Sequence, residues 1–408
     1  MERYAKLTVS EKAEKAIKDG GVWIYGAEIR ERDPNAVNGR PVDVYSGRGR
    51  YLCTGFYNDR SRIAVRVLTT NANDRIDEAF FSRRIGYALS YRKTVLCGDL
   101  SSARLIFGDA DGFPGFIVDK FADVLVLQIM CLGIELLKDA LIPCLIAQLR
   151  EMGEPVRAVY LRGDAHVREK EGLPRESGYY TCETLPEPES PDDGTVLITE
   201  NGIRYRVDFR AGQKTGFFLD QKFNRRAAAA IAPGRTVLDC FTHTGAFALN
   251  CAAAGAKRVT AVDVSASALE AAKANAALNG FSDIEFLQAD VFEYLTALSG
   301  AGRSPYDYII LDPPAFTKSS DTVRAAYRGY KEINLKAMRL LPRGGYLSTC
   351  SCSHFMTDSL FQRMLLDAAK DANVRVRIAE RRQQAADHPI LAGADGTEYL
   401  KFYILQIV

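Results

Sequence analysis

No charge of one sign dominates this 408-residue sequence: 53 lysines and arginines stand against 51 acids, a net of +2. A bulk electrostatic preference for nucleic acid or for an acidic partner is therefore excluded, and any basic face has to be local. No apolar run reaches the ~18 residues that a membrane helix requires. The N-terminus MERYAKLTVSEKAEKAIKDG alternates charges without an apolar centre, so neither a membrane protein nor a secretory signal is expected. Internal repeats and low-complexity tracts are missing too. The nine cysteines are an odd number spread thinly from Cys53 to Cys352, which suits reduced thiols in the cytoplasm better than a disulfide framework. With 47% hydrophobic and 25% charged residues the chain has the make-up of a folded protein. At ~150 residues per domain its length suits two or three domains.

What is there falls into three parts, 1–74, 75–189 and 190–408. The clearest boundary is ETLPEPESPDDG (Glu183 to Gly194), with three prolines and five acids in twelve residues, which reads as a linker or exposed loop. Before residue 74, short apolar runs cut by Gly and Asn/Asp turns suggest a small β-barrel. Residues 75–189 combine the helical spacing of RIDEAFFSRRIGYALSYRK with three strand-like runs, a further helix in which Pro143 is expected to introduce a kink, and the strand RAVYLRG, a small α+β domain. After a hairpin turning at Asn201-Gly202, strands and helices alternate from Thr236 to Cys350. Such alternation implies a doubly wound, mostly parallel α/β sheet. VRVRIAE and YLKFYILQIV read as a closing antiparallel pair.

Ligands of such sheets bind beyond the carboxyl ends of the strands. Here those ends read LDCFTHTGAF, AVDVS, LQAD, LDPPAF and STCSCS, which line up four acids and a cysteine. A dinucleotide would call for G-x-G-x-x-G, and only Gly245 is present, while Asp239 would repel a diphosphate. A cofactor with an ammonium and a sulfonium but no phosphate suits the acids, and S-adenosylmethionine is one. Asp239 and the turn Thr244-Gly245, with Phe241 beside them, would hold its methionine end. Asp263 would take the ribose, with the adjacent Val264 a further cofactor contact, since Asp263 follows Asp239 by 24 residues, close to the ~20 such sites show. Asp290 would reach the adenine amino group. Each acid could equally be a helix N-cap.

Asp312-Pro313-Pro314 fixes a rigid turn that can offer Asp312 and the Pro314 carbonyl to a flat, hydrogen-bonding substrate, with Phe316 placed to stack; a nucleobase fits. Cys352 lies past the apolar part of its strand, where a thiolate could act as nucleophile, whereas Cys240, Cys251 and Cys350 suit burial. No metal is expected, because Cys350, Cys352 and His354 are spaced too tightly for a zinc site and have no second cluster.

GDADGFPG, QKTGFFLDQ, LDCFTHTGAFAL, AVDVS, LDPPAF, RGYKEIN, CSCS and QQAADHPI span nearly the whole chain. In these motifs, and in their order, the chain resembles the bacterial large-subunit ribosomal RNA (cytosine-5-)-methyltransferases. That resemblance implies a PUA domain, a small α+β domain and a class I methyltransferase domain. It makes Cys352 the nucleophile, assigns Asp239, Asp263, Asp290 and Asp312 to the cofactor and base site, and adds Thr215 and Gly216 as cofactor contacts. Many RNA cytosine-5 methyltransferases carry a second cysteine after the fourth-strand proline; here Ala315 stands there. The group that removes the carbon-5 proton is therefore open between a water, Lys318 and the Asp387-His388 pair.

Large-subunit ribosomal RNA is the implied partner, with no membrane involved and a homodimer left open. From Glu28 to Arg66 eight arginines (30, 32, 40, 48, 50, 60, 62, 66) face five acids, with Tyr45, Tyr51, Phe56 and Tyr57 interleaved, a pattern that suits phosphate contact and base stacking. Three other readings compete. A guanine N-methyltransferase would share the Asp-Pro-Pro loop but have no use for Cys352, a non-catalytic RNA-binding assembly protein would not need the acids, and a nicotinamide oxidoreductase lacks its glycines.

Overall fold

The computed structural model describes residues 4–185, 193–300, 304–317 and 319–408. Most of the expected acidic linker lies outside these residues. The chain forms two units, one of residues 1–198, 207–219 and 386–397 and one of residues 199–206, 220–385 and 398–408.

Short β-branched and aromatic runs separated by turns build the start of the first unit. They form a six-stranded sheet in the spatial order Trp23–Tyr25, Ile63–Thr69, Tyr51–Tyr57, Pro41–Ser46, Ala5–Val9, Ile29–Arg32. All neighbours are antiparallel except Ala5–Val9 and Pro41–Ser46, which set Leu7 opposite Val44. The two edge strands follow one another in the chain through the single turn Gly26–Glu28, so the backbone itself links the open edges, as a small barrel requires. The helix Glu11–Lys18, capped where Ser10 accepts from the Ala13 N–H, adds Ala13 and Ile17 to the core of Leu7, Val9, Ile24, Val42, Val44 and Val65. The sequence pattern does not announce this helix, since EKAEKAIK has so few apolar anchors.

A second sheet runs Gly178–Tyr180, Ala158–Leu161, Val124–Ile129, Phe116–Phe121, Ser102–Phe107. The helices Glu78–Val95 and Lys138–Glu151 accompany it. The segment expected to be one helix is divided upstream of Pro143. The chain forms Leu132–Glu135 and then Lys138–Glu151, breaking at Leu136-Leu137, and Pro143 sits within the second helix, where it forgoes only the N–H bond to the Asp139 carbonyl.

A hairpin of Thr195–Glu200 and Ile203–Asp208 follows. Its turn residues Asn201 and Gly202 both have positive φ (52° and 80°), the tight turn their pairing predicts.

The second unit is built on seven strands, β1 Thr236–Cys240, β2 Arg258–Asp263, β3 Ile284–Gln288, β4 Tyr308–Leu311, β5 Tyr346–Ser351, β6 Val376–Arg382 and β7 Lys401–Ile407. Their spatial order is β3-β2-β1-β4-β5-β7-β6, with β1 to β5 parallel and β7 antiparallel to both neighbours. The helices are α1 Lys222–Ile231, α2 Ala246–Ala253, α3 Ala266–Leu278, α4 Val291–Gly300, α5 Val323–Leu340 and α6 Asp358–Asp371. Leu238, Cys240, Ile309, Leu311, Leu347, Tyr403 and Leu405 pack with Leu295, Tyr330, Met338 and Phe361 of α4, α5 and α6. The alternate side chains, among them Asp239, Tyr308 and Ser348, turn to the opposite face, where Tyr308 bonds the Ala228 carbonyl of α1. Burial on both faces explains why a strand such as YIIL has no charged member and only the hydrogen-bonded Tyr308 hydroxyl as a polar group. The order in which successive strands are added reverses between β1 and β4, and the loops leaving β1, β2, β4 and β5 lie along that edge.

Candidate active site

Asp239 is the penultimate residue of β1 and is fully buried. One carboxylate oxygen accepts from the Thr242 hydroxyl at 2.5 Å and from the Ala248 N–H of α2 at 3.0 Å, while the other, Oδ1, is buried without any partner. Burial pushes this carboxyl up to about 7, and the nearby Asp312 and Asp263 charges push the same way. The loop to α2 is strained, with Phe241 and His243 at φ 63° and 51°. Gly245 (φ 82°) starts α2, and a Cβ there would sit 2.8 Å from Leu249 and 3.1 Å from Ala272. Only glycine allows so tight a turn.

Asp263 ties that loop down. Its two oxygens accept from the His243 and Ser265 N–H groups, each at 2.9 Å. Burial lowers the His243 imidazole, with Asp263 opposing. Val264 next to it is an exposed apolar side chain, and Asp290 is exposed and caps α4 by accepting from the Glu293 N–H at 3.1 Å. The helix-cap reading thus holds for Asp290 and in part for Asp239, but it leaves the second Asp239 oxygen unexplained. Among the described residues none of Asp239, Asp263 and Asp290 has a cationic side-chain partner. A ligand bearing an ammonium and hydroxyls fits this set of acceptors, and a diphosphate does not.

At the ends of β4 and β5 the Asp312 Oδ1 accepts from Gln221 Nε2 at 3.2 Å and from the Cys350 thiol at 2.9 Å. Cys350 is fully buried, and burial followed by Asp312 raises its thiol well above the ordinary value. The Asp312 loop has Pro313 buried and Pro314 exposed. Phe316 does not project freely: its ring lies 4.5 Å from that of Tyr330 and 5.9 Å from that of Phe292. Cys352 follows β5 and is partly exposed, whereas Cys240, Cys251 and Cys350 are buried. The next residue, Ser353, donates to the Thr317 carbonyl at 2.8 Å and so joins the two loops into one edge. Gln221 and the buried Lys401, which donates to the Ser353 carbonyl, also belong to this edge. Neither stands out in the sequence as a site residue.

Other expected residues lie in the first unit. Thr215 is buried there and donates to Asp119 at 2.5 Å, and Gly216 has φ 128°. Asp387 and His388 are buried against each other at 2.8 Å, and Asp387 accepts from the Arg104 N–H. Lys318 lies outside the described residues. The arginine-aromatic stretch is only partly outward-facing: Phe56 and Tyr57 are buried, and Arg66 is buried on Glu171 at 2.9 Å. The other seven arginines are exposed.

A family profile described as S-adenosylmethionine-dependent methyltransferase matches residues 175–403, and a PUA-like domain profile matches residues 7–70. Proteins named ribosomal RNA large subunit methyltransferase I are similar over the full length. One from Serratia proteamaculans is 38% identical over 99% of both chains, and one from Aeromonas salmonicida is 40% identical over 97% of this chain and 96% of its own. Among solved structures, a SAM-dependent methyltransferase from Streptococcus mutans covers 98% of this chain and 99% of its own at 23% identity and TM-score 0.79. Another methyltransferase, solved with SAH, matches with the same coverage at 22% identity and TM-score 0.80. Among the described residues no helix is long and apolar enough to cross a membrane. By profile, by full-length relatives and by the acidic edge of its sheet, this chain belongs to the S-adenosylmethionine-dependent methyltransferases, in the ribosomal RNA large subunit methyltransferase I family, and carries a PUA-like domain at its N-terminus.

Proposed function

We propose that this protein methylates carbon 5 of a cytosine in large-subunit ribosomal RNA through a covalent Cys352 adduct. The observation that carries this reading is the placing of thiols: of the four cysteines in the second unit, three are buried and Cys352 alone reaches solvent, at the edge shared with Asp312. Attack through a nitrogen lone pair, as in a guanine N-methyltransferase, has no use for such a thiol.

S-adenosylmethionine, when bound, supplies an electrophilic methyl group on a sulfonium. Asp239 would hold its ammonium, the Phe241 to Gly245 turn its methionine end, Asp263 its ribose, and Val264 and Asp290 its adenine. The Cys352 thiolate adds to carbon 6 of the base and the 5,6 double-bond electrons move toward the ring nitrogen, where Asp312 gives a proton. Carbon 5 would then take the methyl group, and the proton on the ring nitrogen returns to Asp312. Loss of the carbon-5 proton to a base in the site, such as a water, expels the sulfur and restores both the ring and the thiolate. The Asp387-His388 pair is committed to its own hydrogen bonds and is not the base we assign. The rigid Pro313-Pro314 turn would hold the base, and Phe316, packed on Tyr330, would support that turn more than stack on the substrate. We divide the chain into an RNA-binding part, 1–74, whose exposed arginines contact phosphate, a middle part, 75–189, and a methyltransferase part, 190–408.

The test is Cys352→Ala in the full-length protein with ribosomal RNA. The variant should bind S-adenosylmethionine as wild type does and form no 5-methylcytosine, a loss on the order of 10⁴-fold or more. Wild type should form a denaturation-resistant complex with RNA containing 5-fluorocytosine. Full activity in Cys352→Ala would end the nucleophile assignment and favour methylation at nitrogen.

A further inference from the structure

Lys401 is the first residue of β7 and is 4% exposed. Antiparallel pairing sets it opposite Ser351, the residue before Cys352. Its ammonium donates to the Ser353 carbonyl at 2.6 Å and to the Tyr399 carbonyl at 2.8 Å, so it is anchored on the backbone to either side of the site. Among the described residues no carboxylate pairs with it. A lysine buried at this depth normally has an anionic partner, because an uncompensated buried charge is expensive. Two carbonyls satisfy hydrogen bonds but do not neutralise the charge.

We infer that Lys401 is a positioning residue for the methyl transfer: its buried ammonium is the counter-charge that holds Cys352 as a thiolate. This rests on the reading of Cys352 as nucleophile. The groups that face the two residues sort the alternatives. From β5 comes Cys350, buried and bonded to Asp312, and from α5 comes Tyr330, whose hydroxyl burial pushes well up and which therefore stays neutral. Neither supplies a positive charge to the sulfur. On the lysine side, burial lowers the ammonium to about 8, and the charge that most opposes this is Cys352, ahead of Glu398 and Asp358. Asp358 is engaged elsewhere: it accepts from the Tyr403 hydroxyl and pairs with Arg381. A thiolate beside a fixed ammonium is formed at lower pH than a free thiol, by loss of its proton to solvent. The same ammonium holds the Ser353 carbonyl, and with it the backbone that aims the sulfur.

The experiment is the pH dependence of Cys352 alkylation by iodoacetamide, read by fragment-ion mass spectrometry on the full-length protein. Wild type should show a midpoint below the ~8.5 of a free thiol. Lys401→Met should raise that midpoint by a unit or more and slow alkylation at pH 7 about tenfold, and Lys401→Arg should restore most of the difference. An unchanged midpoint in Lys401→Met overturns the inference. A wild-type midpoint at the free-thiol value also overturns it, and that measurement needs no variant should Lys401→Met fail to fold. Methylation retained by Cys352→Ala would instead overturn the nucleophile reading while leaving a low thiol midpoint in place, so the two failures are distinguishable.

Discussion

Among the described residues, closed buried ion pairs are more numerous in the first unit, and unbalanced buried charges gather at the sheet edge of the second. Several buried charges of the first unit come in closed pairs, although among the described residues Asp43 accepts only from the Thr54 hydroxyl and Asp109, which accepts from the Trp23 N–H, keeps an unpartnered oxygen. Arg104 meets Asp119 through two bonds of 2.7 Å, Arg92 meets Asp111 at 2.5 and 2.7 Å, and Arg66 meets Glu171 at 2.9 Å. Among the described residues the second unit has one such pair away from the sheet edge, Arg225 on Glu200. At the edge, however, Asp239 keeps an unpartnered oxygen, and among the described residues Lys401 has two carbonyls and no carboxylate. Both kinds of charge are desolvated, but only a closed pair compensates that cost within the chain. A paired charge fixes a backbone; an unbalanced one at the carboxyl ends of the strands, where such sheets bind ligands, is available to a ligand or to a reacting group.

The largest effect should come from opening a closed pair. Arg104→Met leaves Asp119 buried and uncompensated, and takes away a partner shared with Thr215, so unfolding free energy should fall by about 3–5 kcal/mol. Replacing both residues with apolar side chains of similar volume should recover most of that loss. Denaturant titration of the single and double variants measures it; a single variant as stable as wild type would show that these pairs do not hold the first unit together.

Asp239 should behave in the reverse sense. Its carboxyl is raised from an ordinary value near 3.8 to about 7, so between about pH 4 and 7 the folded chain keeps a proton that the unfolded chain has lost. Stability of the ligand-free protein therefore falls as pH rises through that window and levels off above it. Asp239→Asn should remove this component of the slope, and at pH 8 it should be at least as stable as wild type. It should also weaken S-adenosylmethionine binding by about 1.5–3 kcal/mol, tens of fold, and abolish the rise in affinity from pH 6 to 8 that is expected of wild type as the carboxylate ionises. Calorimetric titration across pH reads both, and equal affinity at pH 8 would remove Asp239 from the site.

A smaller effect is expected at the turn that places these acids. Gly245→Ala puts a Cβ at φ 82° and within 2.8 Å of Leu249, which should cost about 1–3 kcal/mol in thermal unfolding and more when the cofactor is present to stabilise wild type.

How much of this was legible beforehand depends on whether the cause is local. The parallel sheet could be read because β4 and its neighbours are apolar runs that end abruptly in Asp, Cys or Pro, and the turn at Gly245 because one glycine follows one strand. Asn201-Gly202 carries its turn in two residues. The rest depends on partners distant in sequence. Lys401 reads as one polar residue inside YLKFYILQIV, and only the β5–β7 register, Ser351 opposite Lys401, brings it to the thiol. Gln221 meets Asp312 across ninety-one residues of chain. In the sequence Phe56 and Tyr57 read with the arginines as a face for RNA, but the strand Tyr51–Tyr57 is covered on both sides, and Phe56 stacks on Phe81 of the helix Glu78–Val95. A composition count cannot tell an outward aromatic from one that a later element will cover.

The smallest effect sets the lower bound of the comparison. Arg258 and Glu285 pair across β2 and β3 at 2.9 Å, a distance close to that of Arg104 and Asp119, but with side chains 59% and 50% exposed. Water and salt already solvate both ends, so the pair has little desolvation to repay and little to lose. Arg258→Ala should change unfolding free energy by less than about 1 kcal/mol, and 0.5 M salt should shrink even that. If the exposed pair instead cost as much as Arg104→Met, geometry rather than burial would govern these interactions, and the unbalanced charges of Asp239 and Lys401 would lose their claim to mark the site.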